Sequence, residues 1–382
     1  MSARVRIVGG SIAGLFAAIL LGRQGMDVRI YERSGADLSG RGAGLTGARE
    51  LVEAIHLIGC DRVSRLSVTS NRQVVLDREG QIVADQPSFG LRFSWDLLYR
   101  AARSKLADRQ YVQSRRVSRV DDAPDGASIV FEDGGTEDAD LVVGADGVAS
   151  VARKFVDPEH YHNVFAGYAA WRILLPESDL PRSLEPMSEA LVAFSQPGLQ
   201  SIGYMVPGVD GEVGSGRRRY SWGWYRPAGA DQLAELFTTA DGHRFEHSLP
   251  PGGMSEERLE RFRRDASNVL PPQFAEIAGI GATPWIQGIF DYVPRRLVSR
   301  RVVLLGDAAA LARPHVGLGT SKAAGDAIAL ARAFENSATI EEALGVYEAT
   351  RLFSAQWLVR RSQEIGSALG LDASANRVLT AG

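Results

Sequence analysis

A single cysteine, Cys60, stands among 382 residues, so no disulfide can form within the chain, and a reducing cytoplasm is the compartment expected. The six histidines do not fall with that cysteine at zinc-ligand spacing, and no metal site is expected. There is no block of basic residues and the formal net charge is −3. That argues against nucleic acid as a partner, because such binding depends on clustered cations that neutralise phosphates. No apolar run is long enough to span a bilayer, so no membrane contact is expected. The nearest is the mostly apolar stretch from Ile7 to Gly22, which follows Arg4 and Arg6 in the manner of a secretory leader. Its glycine spacing and the strand pattern directly after it mark folded structure instead. Repeats and low-complexity segments are also missing. What remains is an ordinary globular composition, 45% apolar and 23% charged, in a chain long enough for two domains and a large core.

The stretch from Arg301 to Ala327 organises the rest. Val302 to Leu305 is a short apolar run rich in β-branched residues, which suits a strand buried on both faces. It ends at Gly306-Asp307, and a carboxylate there sits where open α/β sheets bind ligands, in the crevice at the strands' carboxyl ends. Asp307 is therefore placed to accept hydrogen bonds from hydroxyls of a cofactor. Pro314, Gly317 and Gly319 follow, and then a helical pattern through Ala323, Ala324, Ala327 and Leu330. Glycines ahead of a helix let its free N–H groups approach a ligand and stabilise negative charge.

Upstream, Val5 to Val8 reads as a buried strand, and Gly9-Gly10-Ser11-Ile12-Ala13-Gly14 turns it into a helix running to about Gln24. A second strand, Asp27 to Tyr31, ends in Glu32. This is a dinucleotide-binding fingerprint in its required context, with Ser11 in place of the middle glycine and an acid positioned to hold a ribose hydroxyl. Ser34 to Gly47 is a glycine-rich loop, an exposed turn or a cofactor wrap with Arg41 neutralising phosphates. Leu66 to Gly90 reads as hairpin strands, Ser94 to Leu106 as a helix, and Tyr111 to Val120 with Ser128 to Phe131 as further strands. Leu141 to Val143 is another buried strand, and it delivers Asp146-Gly147, Ser150 and Arg153. Later strands include Tyr168 to Leu175, Gln200 to Val206, Arg218 to Arg226 and Trp285 to Tyr292. Tyr220, Trp222 and Trp224 alternate along one face, where aromatics pack a core or wall a flat ligand. Glu341 to Leu369 is a long helical region.

Three stretches, GGSIAG with YER, DLVVGADGVASVAR, and GDAAALARPHVGLGTSKAAGDA, together resemble the single-component flavin-dependent aromatic hydroxylases, the family of para-hydroxybenzoate hydroxylase. They stand in the family's order and spacing. GGSIAG, GYAAWR and RPH with a lysine downstream are most similar to the branch that contains 2,6-dihydroxypyridine 3-hydroxylase. The fold this implies is α/β. A Rossmann-type FAD-binding domain would be assembled from residues 1–65, 93–165 and 285–335, interleaved with a mostly antiparallel β-sheet substrate domain from 66–92 and 166–284. Residues 336–382 would form a C-terminal helical region. Carried over residue by residue, the resemblance gives Gly9, Ser11 and Gly14 the FAD pyrophosphate, and Glu32, with Arg33 beside it, the adenosine ribose. Asp307 takes the ribityl chain, Asp146-Gly147 the flavin and the passing NADH or NADPH, and the loop of Pro314, Gly317 and Gly319 the flavin ring. Ala310, Ser321 and Ser94 stand where the family often has histidine, asparagine and arginine.

The reaction implied is hydroxylation of an electron-rich aromatic or N-heteroaromatic ring by O2 and NAD(P)H through a flavin C4a-hydroperoxide. It asks the protein to orient the ring, exclude water and help a ring hydroxyl lose its proton. His315, the one histidine inside a cofactor motif, is the candidate base or substrate hydrogen-bond partner. Tyr204, Trp222, Trp224 and Gln287 are the expected substrate walls, chosen by strand position. A homodimer is expected by analogy with the family. Competing readings are a flavin oxidase or dehydrogenase without oxygen insertion, a non-catalytic flavin redox sensor, and a halogenase suggested by Trp222-Gly223-Trp224. The halogenase reading lacks its early lysine, since the first lysine is Lys105.

Overall fold

The computed structural model describes residues 3–39, 44–60, 63–281 and 283–372. Arg41 lies outside them. Apolar runs build a parallel sheet at its centre. Val302–Leu304, Leu141–Gly144, Arg4–Val8, Asp27–Tyr31 and Tyr111–Val112 lie side by side in that order, all parallel, with Val298–Ser299 antiparallel at one edge. Val5, Ile7, Leu141, Val142, Val143 and Val302 to Leu304 are fully buried, as strands covered on both faces must be.

The helix Ile12–Arg23 packs on this sheet and against the helix Gly319–Glu335. Small side chains such as Ala17, Ala18, Ala324 and Ala327 are buried there, which lets the two helices approach closely. The helix Ile340–Ala368 starts at a capping box between Thr339 and Glu342 and lies against Gly319–Glu335. Its Tyr347 donates a hydrogen bond to Leu304 O at 2.7 Å.

A second sheet has nine strands in the order Ser248–Leu249, Trp285–Asp291, Val164–Pro176, Arg219–Pro227, Leu199–Val206, Ala190–Gln196, Ser67–Leu76, Ile82–Ser94 and Gly44–Gly47. Neighbours are antiparallel except for Ala190–Gln196 with Ser67–Leu76. One face is sealed by the helices Glu256–Val269 and Pro272–Gly279, whose Phe262 and Phe274 pack on the sheet's aromatics. The opposite face looks toward the parallel sheet.

Two stretches differ from the sequence reading. Tyr111 to Val120 is broken, because Ser114 adopts a left-handed φ of 54°. Tyr111–Val112 then joins the parallel sheet, while Val117–Ala123 joins a three-stranded meander with Gly126–Phe131 and Thr136–Ala139. The expected loop up to Gly47 ends in a strand, Gly44–Gly47, because its backbone pairs with Leu91 to Ser94 at the sheet edge.

Candidate active site

A cavity of about 750 Å3 lies where the carboxyl ends of the parallel strands meet the open face of the large sheet. Asp307 enters it from the end of strand Val302–Leu304. The backbone on either side of Asp307 is held from behind. Lys322 Nζ donates to Gly306 O at 2.7 Å and to Asp326 at 2.8 Å, while Asp326 accepts from Gly306 N at 3.0 Å and from Arg351 Nε at 2.8 Å. Arg153, fully buried, donates to Asp307 O at 2.6 Å and Ala308 O at 2.8 Å, and also to Gly147 O and Val148 O, each at 3.2 Å. One guanidinium thus ties the turn after Leu141–Gly144 to the turn after Val302–Leu304. The Asp307 carboxylate itself has no protein donor among the described residues and opens on the cavity. Its side chain is exposed to the cavity, and desolvation by the surrounding protein raises its pKa against the opposing pull of Lys322 and Arg153.

Two helix N-termini face the same space. Ser11 precedes the helix Ile12–Arg23 without capping it by its side chain, and Leu318 precedes Gly319–Glu335 likewise. Ser11, Ile12, Gly319 and Thr320 line the cavity, as do Pro314 and Gly317. Uncapped N–H groups with the positive end of a helix dipole favour a negatively charged ligand. Gly9 makes the first of these turns possible. Its φ is 102°, and a Cβ there would stand 2.4 Å from Ala145 O; one on Gly14 would stand 2.1 Å from Gly9 O. Gly9 and Gly14 therefore shape the turn, and Ser11 meets the cavity.

Glu32 and Arg33 lie outside that lining. The Glu32 carboxylate is buried and accepts from Gly10 N at 2.9 Å and Ser34 N at 2.8 Å, and Arg33 is exposed. Asp146 also turns away. It caps the helix Val151–Val156, accepting from Ser150 Oγ at 2.5 Å and Val151 N at 2.7 Å, and burial pushes its pKa up. Gly147 and Val148, next in sequence, line the cavity.

His315 sits between the two walls. Its Nδ1 is 2.8 Å from Gln200 Oε1 and its Nε2 is 2.8 Å from the Tyr168 hydroxyl. The amide oxygen requires the proton on Nδ1, so Nε2 accepts from Tyr168. Burial, with the charges of Arg313 and Arg172 nearby, lowers the imidazole pKa to about 4. His315 is neutral near pH 7, and both of its nitrogens are engaged.

On the sheet side, Tyr204 and Gln287 line the cavity. Trp222 and Trp224 do not reach it. Both are 1% exposed and project to the other face, where Trp222 donates to Ser201 Oγ at 2.8 Å and packs on Phe262 and Phe274. The correction follows from the period of a strand, in which alternate residues face opposite ways. Ser221, Gly223 and Tyr225 take the cavity side. Sequence reasoning also missed Arg172 and Arg92, both in the lining. The GYAAWR stretch carries Arg172 on a strand next to the aromatic one, and Arg92 stands two residues before Ser94; those were the available signals.

Two family models match the chain, a NAD(P)-binding Rossmann-like domain over residues 7–53 and an FAD binding domain-like model over residues 165–291. The chain is 29% identical over 371 residues to 2,6-dihydroxypyridine 3-monooxygenase of Paenarthrobacter nicotinovorans, covering 96% of this chain and 91% of the relative. The solved 2,6-dihydroxypyridine-3-hydroxylase from Arthrobacter nicotinovorans superposes with a TM-score of 0.90 at 28% identity, covering 97% of this chain and 93% of that one. Over nearly its whole length the chain is similar to single-component flavin-dependent aromatic hydroxylases. As a flavin hydroxylase it binds FAD and is reduced by NAD(P)H. Another relative, 6-hydroxynicotinate 3-monooxygenase of Pseudomonas fluorescens, is 26% identical over 380 residues, covering 95% of this chain and 91% of the relative. The residues of this hydroxylase fit the cofactor. A turn that admits no Cβ at Gly9, two uncapped helix N-termini and a carboxylate without a donor among the described residues converge on one cavity.

Proposed function

We propose that this hydroxylase inserts one oxygen atom from O2 into a hydroxypyridine-like or phenolic ring. The observation that carries the proposal is a single cavity with two unlike walls. One wall is made of helix N-termini and Asp307; the other is sheet, with Tyr204, Gln287, Tyr225 and Arg172. In this reading Ser11 and the N–H groups of Ile12–Arg23 hold the FAD pyrophosphate, with Gly9 and Gly14 shaping their turn. Asp307 accepts hydrogen bonds from the ribityl hydroxyls. Glu32 reaches the adenosine ribose by exchanging its present bonds to Gly10 and Ser34. Gly147, Pro314, Gly317 and Gly319 border the flavin ring.

Bound FAD supplies the redox chemistry, accepting hydride from NAD(P)H and activating O2. The chain supplies the rest. The N-terminus of Gly319–Glu335 would favour negative charge on a flavin held there. Tyr225 and Tyr204 flank the aromatic substrate. His315, neutral and held at both nitrogens, is a fixed part of the substrate wall rather than a free base. Half-buried and buried side chains on the sheet limit the water that reaches the reacting carbon.

The test is the rate at which NADH and NADPH reduce the bound flavin without oxygen, with and without a panel of hydroxypyridines and phenols, followed by product mass in air. Stimulation by one compound and a product one oxygen heavier support the hydroxylase. Equal reduction across the panel with only hydrogen peroxide formed points to a flavin oxidase or dehydrogenase and overturns it.

A further inference from the structure

We propose that the ring accepted by this cavity carries an oxyanion, and that Arg172 selects for it. The inference rests on the hydroxylase reading and names its substrate class more narrowly.

It begins with two cations that the fold does not neutralise. Arg172 and Arg92 both line the cavity, and among the described residues neither has a carboxylate partner. Other arginines nearby are answered within the fold: Arg153, buried without a carboxylate partner among the described residues, spends its donors on backbone carbonyls, and three more are ion-paired. Arg218 meets Glu177 at 2.6 Å, Arg219 meets Asp96 at 3.0 Å, and Arg313 meets Asp291 at 2.8 Å. Arg92 is 6% exposed, yet among the described residues its bonds go only to hydroxyls, Ser70 Oγ at 2.9 Å and Thr46 Oγ1 at 2.7 Å, with the Tyr204 ring 5.3 Å away. Desolvation accordingly pushes its pKa down. Asp307 is the single carboxylate in the described lining, and it stands on the opposite wall. Confined guanidinium groups without counter-charge are costly, and a ligand that brings negative charge offsets that cost.

The geometry singles out Arg172. Its Nε donates to Gln287 Oε1 at 3.1 Å and its Nη2 to the Tyr225 hydroxyl at 3.1 Å, which fixes the plane of the fork. Nη1 has no protein partner among the described residues. It lies over Gly223, which is paired directly across from Arg172 in the sheet, and a Cβ on Gly223 would be 3.9 Å from it. With no side chain at Gly223, Nη1 borders open cavity. Tyr225 reaches from Arg172 toward His315, whose ring centroid is 4.9 Å from its own. A flat ring lying along Tyr225 thus meets a fixed, charged donor at one end and the neutral His315 ring, its nitrogens already bonded, at the other. A ring carboxylate and an ionised ring hydroxyl share the chemistry required; the second also raises electron density at the carbon to be hydroxylated.

The test uses the FAD-loaded enzyme and follows the visible flavin spectrum during titration with matched pairs. One arm compares hydroxypyridine carboxylates with their carboxamides. The other compares a dihydroxypyridine without a carboxylate below and above the pH at which its hydroxyl ionises. The expected result is that the anion of at least one pair binds about tenfold tighter or better, and that Arg172→Gln weakens that anion by about ten- to hundredfold with its neutral counterpart unchanged. Arg172→Lys should keep part of the preference, which guards against a misfolded Gln variant. A preference in the first arm assigns the carboxylate, and one in the second assigns the ring oxyanion. Equal binding of every pair by the wild-type enzyme, or an Arg172 variant that weakens both members alike, overturns the proposal. Oxygenated product is scored separately: an anion preference without product sinks the hydroxylase reading, and product without anion preference sinks this one.

Discussion

Tyr168 donates its hydroxyl hydrogen to Nε2 of His315 across 2.8 Å, although the two residues are 147 positions apart in the chain. The bond fixes a neutral imidazole between a strand of the large sheet and the loop ahead of helix Gly319–Glu335. This has a consequence for acid stability. The ordinary histidine pKa of about 6.5 falls on folding, to about 4, so the unfolded chain binds the proton more tightly. The stabilisation is complete above the unfolded value and is lost as pH falls from about 6.5 to about 4, with an upper bound of about 3 kcal/mol. His315→Gln should flatten urea-unfolding stability over that window. A variant as acid-sensitive there as the wild type would show that another group is responsible.

Gly223 offers a way to fill the cavity without disturbing the fold. A Cβ there meets nothing nearer than Tyr225 at 3.8 Å and Arg172 at 3.9 Å, both ordinary contacts. Gly223→Val should therefore retain FAD and unfold at a temperature close to wild type, yet bind its aromatic substrate at least about tenfold more weakly. Thermal unfolding and substrate titration on one preparation decide it. Unchanged substrate affinity would remove this surface from the binding site.

On the other face of the same strand the expectation reverses. Trp222→Ala should cost about 3–5 kcal/mol of stability, because the indole is buried against Phe262 and Phe274 and donates to Ser201. Urea unfolding measures that loss. A loss below about 1 kcal/mol would contradict the packing described.

Asp307→Ala should do little to the stability of the cofactor-free protein, since the carboxylate has no protein donor among the described residues. Retention of FAD should fall by about tenfold or more if the carboxylate holds ribityl hydroxyls. Fluorescence titration of the stripped protein with FAD reads this directly, and an affinity within twofold of wild type would count against the assignment.

Much of this architecture was legible in the chain. Short β-branched runs that stop at glycine or acid, as at Val5 to Val8 and Val302 to Leu305, can be buried on both faces of a sheet and hardly anywhere else, so the parallel strands announced themselves. The cofactor-side loops were legible for the same reason, because glycines at fixed spacing serve a backbone geometry that is local. The substrate wall was not. Alternation along Arg219–Pro227 shows which residues share a face, but not which face meets helices and which meets ligand. The bulky Trp222 and Trp224 drew the assignment, whereas their small neighbours Ser221 and Gly223 leave the room a ligand needs. Nor does sequence show that Arg172 and Arg92 lack counter-ions, since their spatial neighbours come from distant strands.

That strand also restricts how the enzyme can change. Substitutions at Ser221, Gly223 or Tyr225 alter the chamber and leave the aromatic layer behind it intact, so new ring shapes are reached one side chain at a time. Losing or gaining a single residue within Arg219–Pro227 would instead rotate the tryptophans into the chamber and the small residues into the layer, failing on both sides together. Its composition is open to selection, and its length is not.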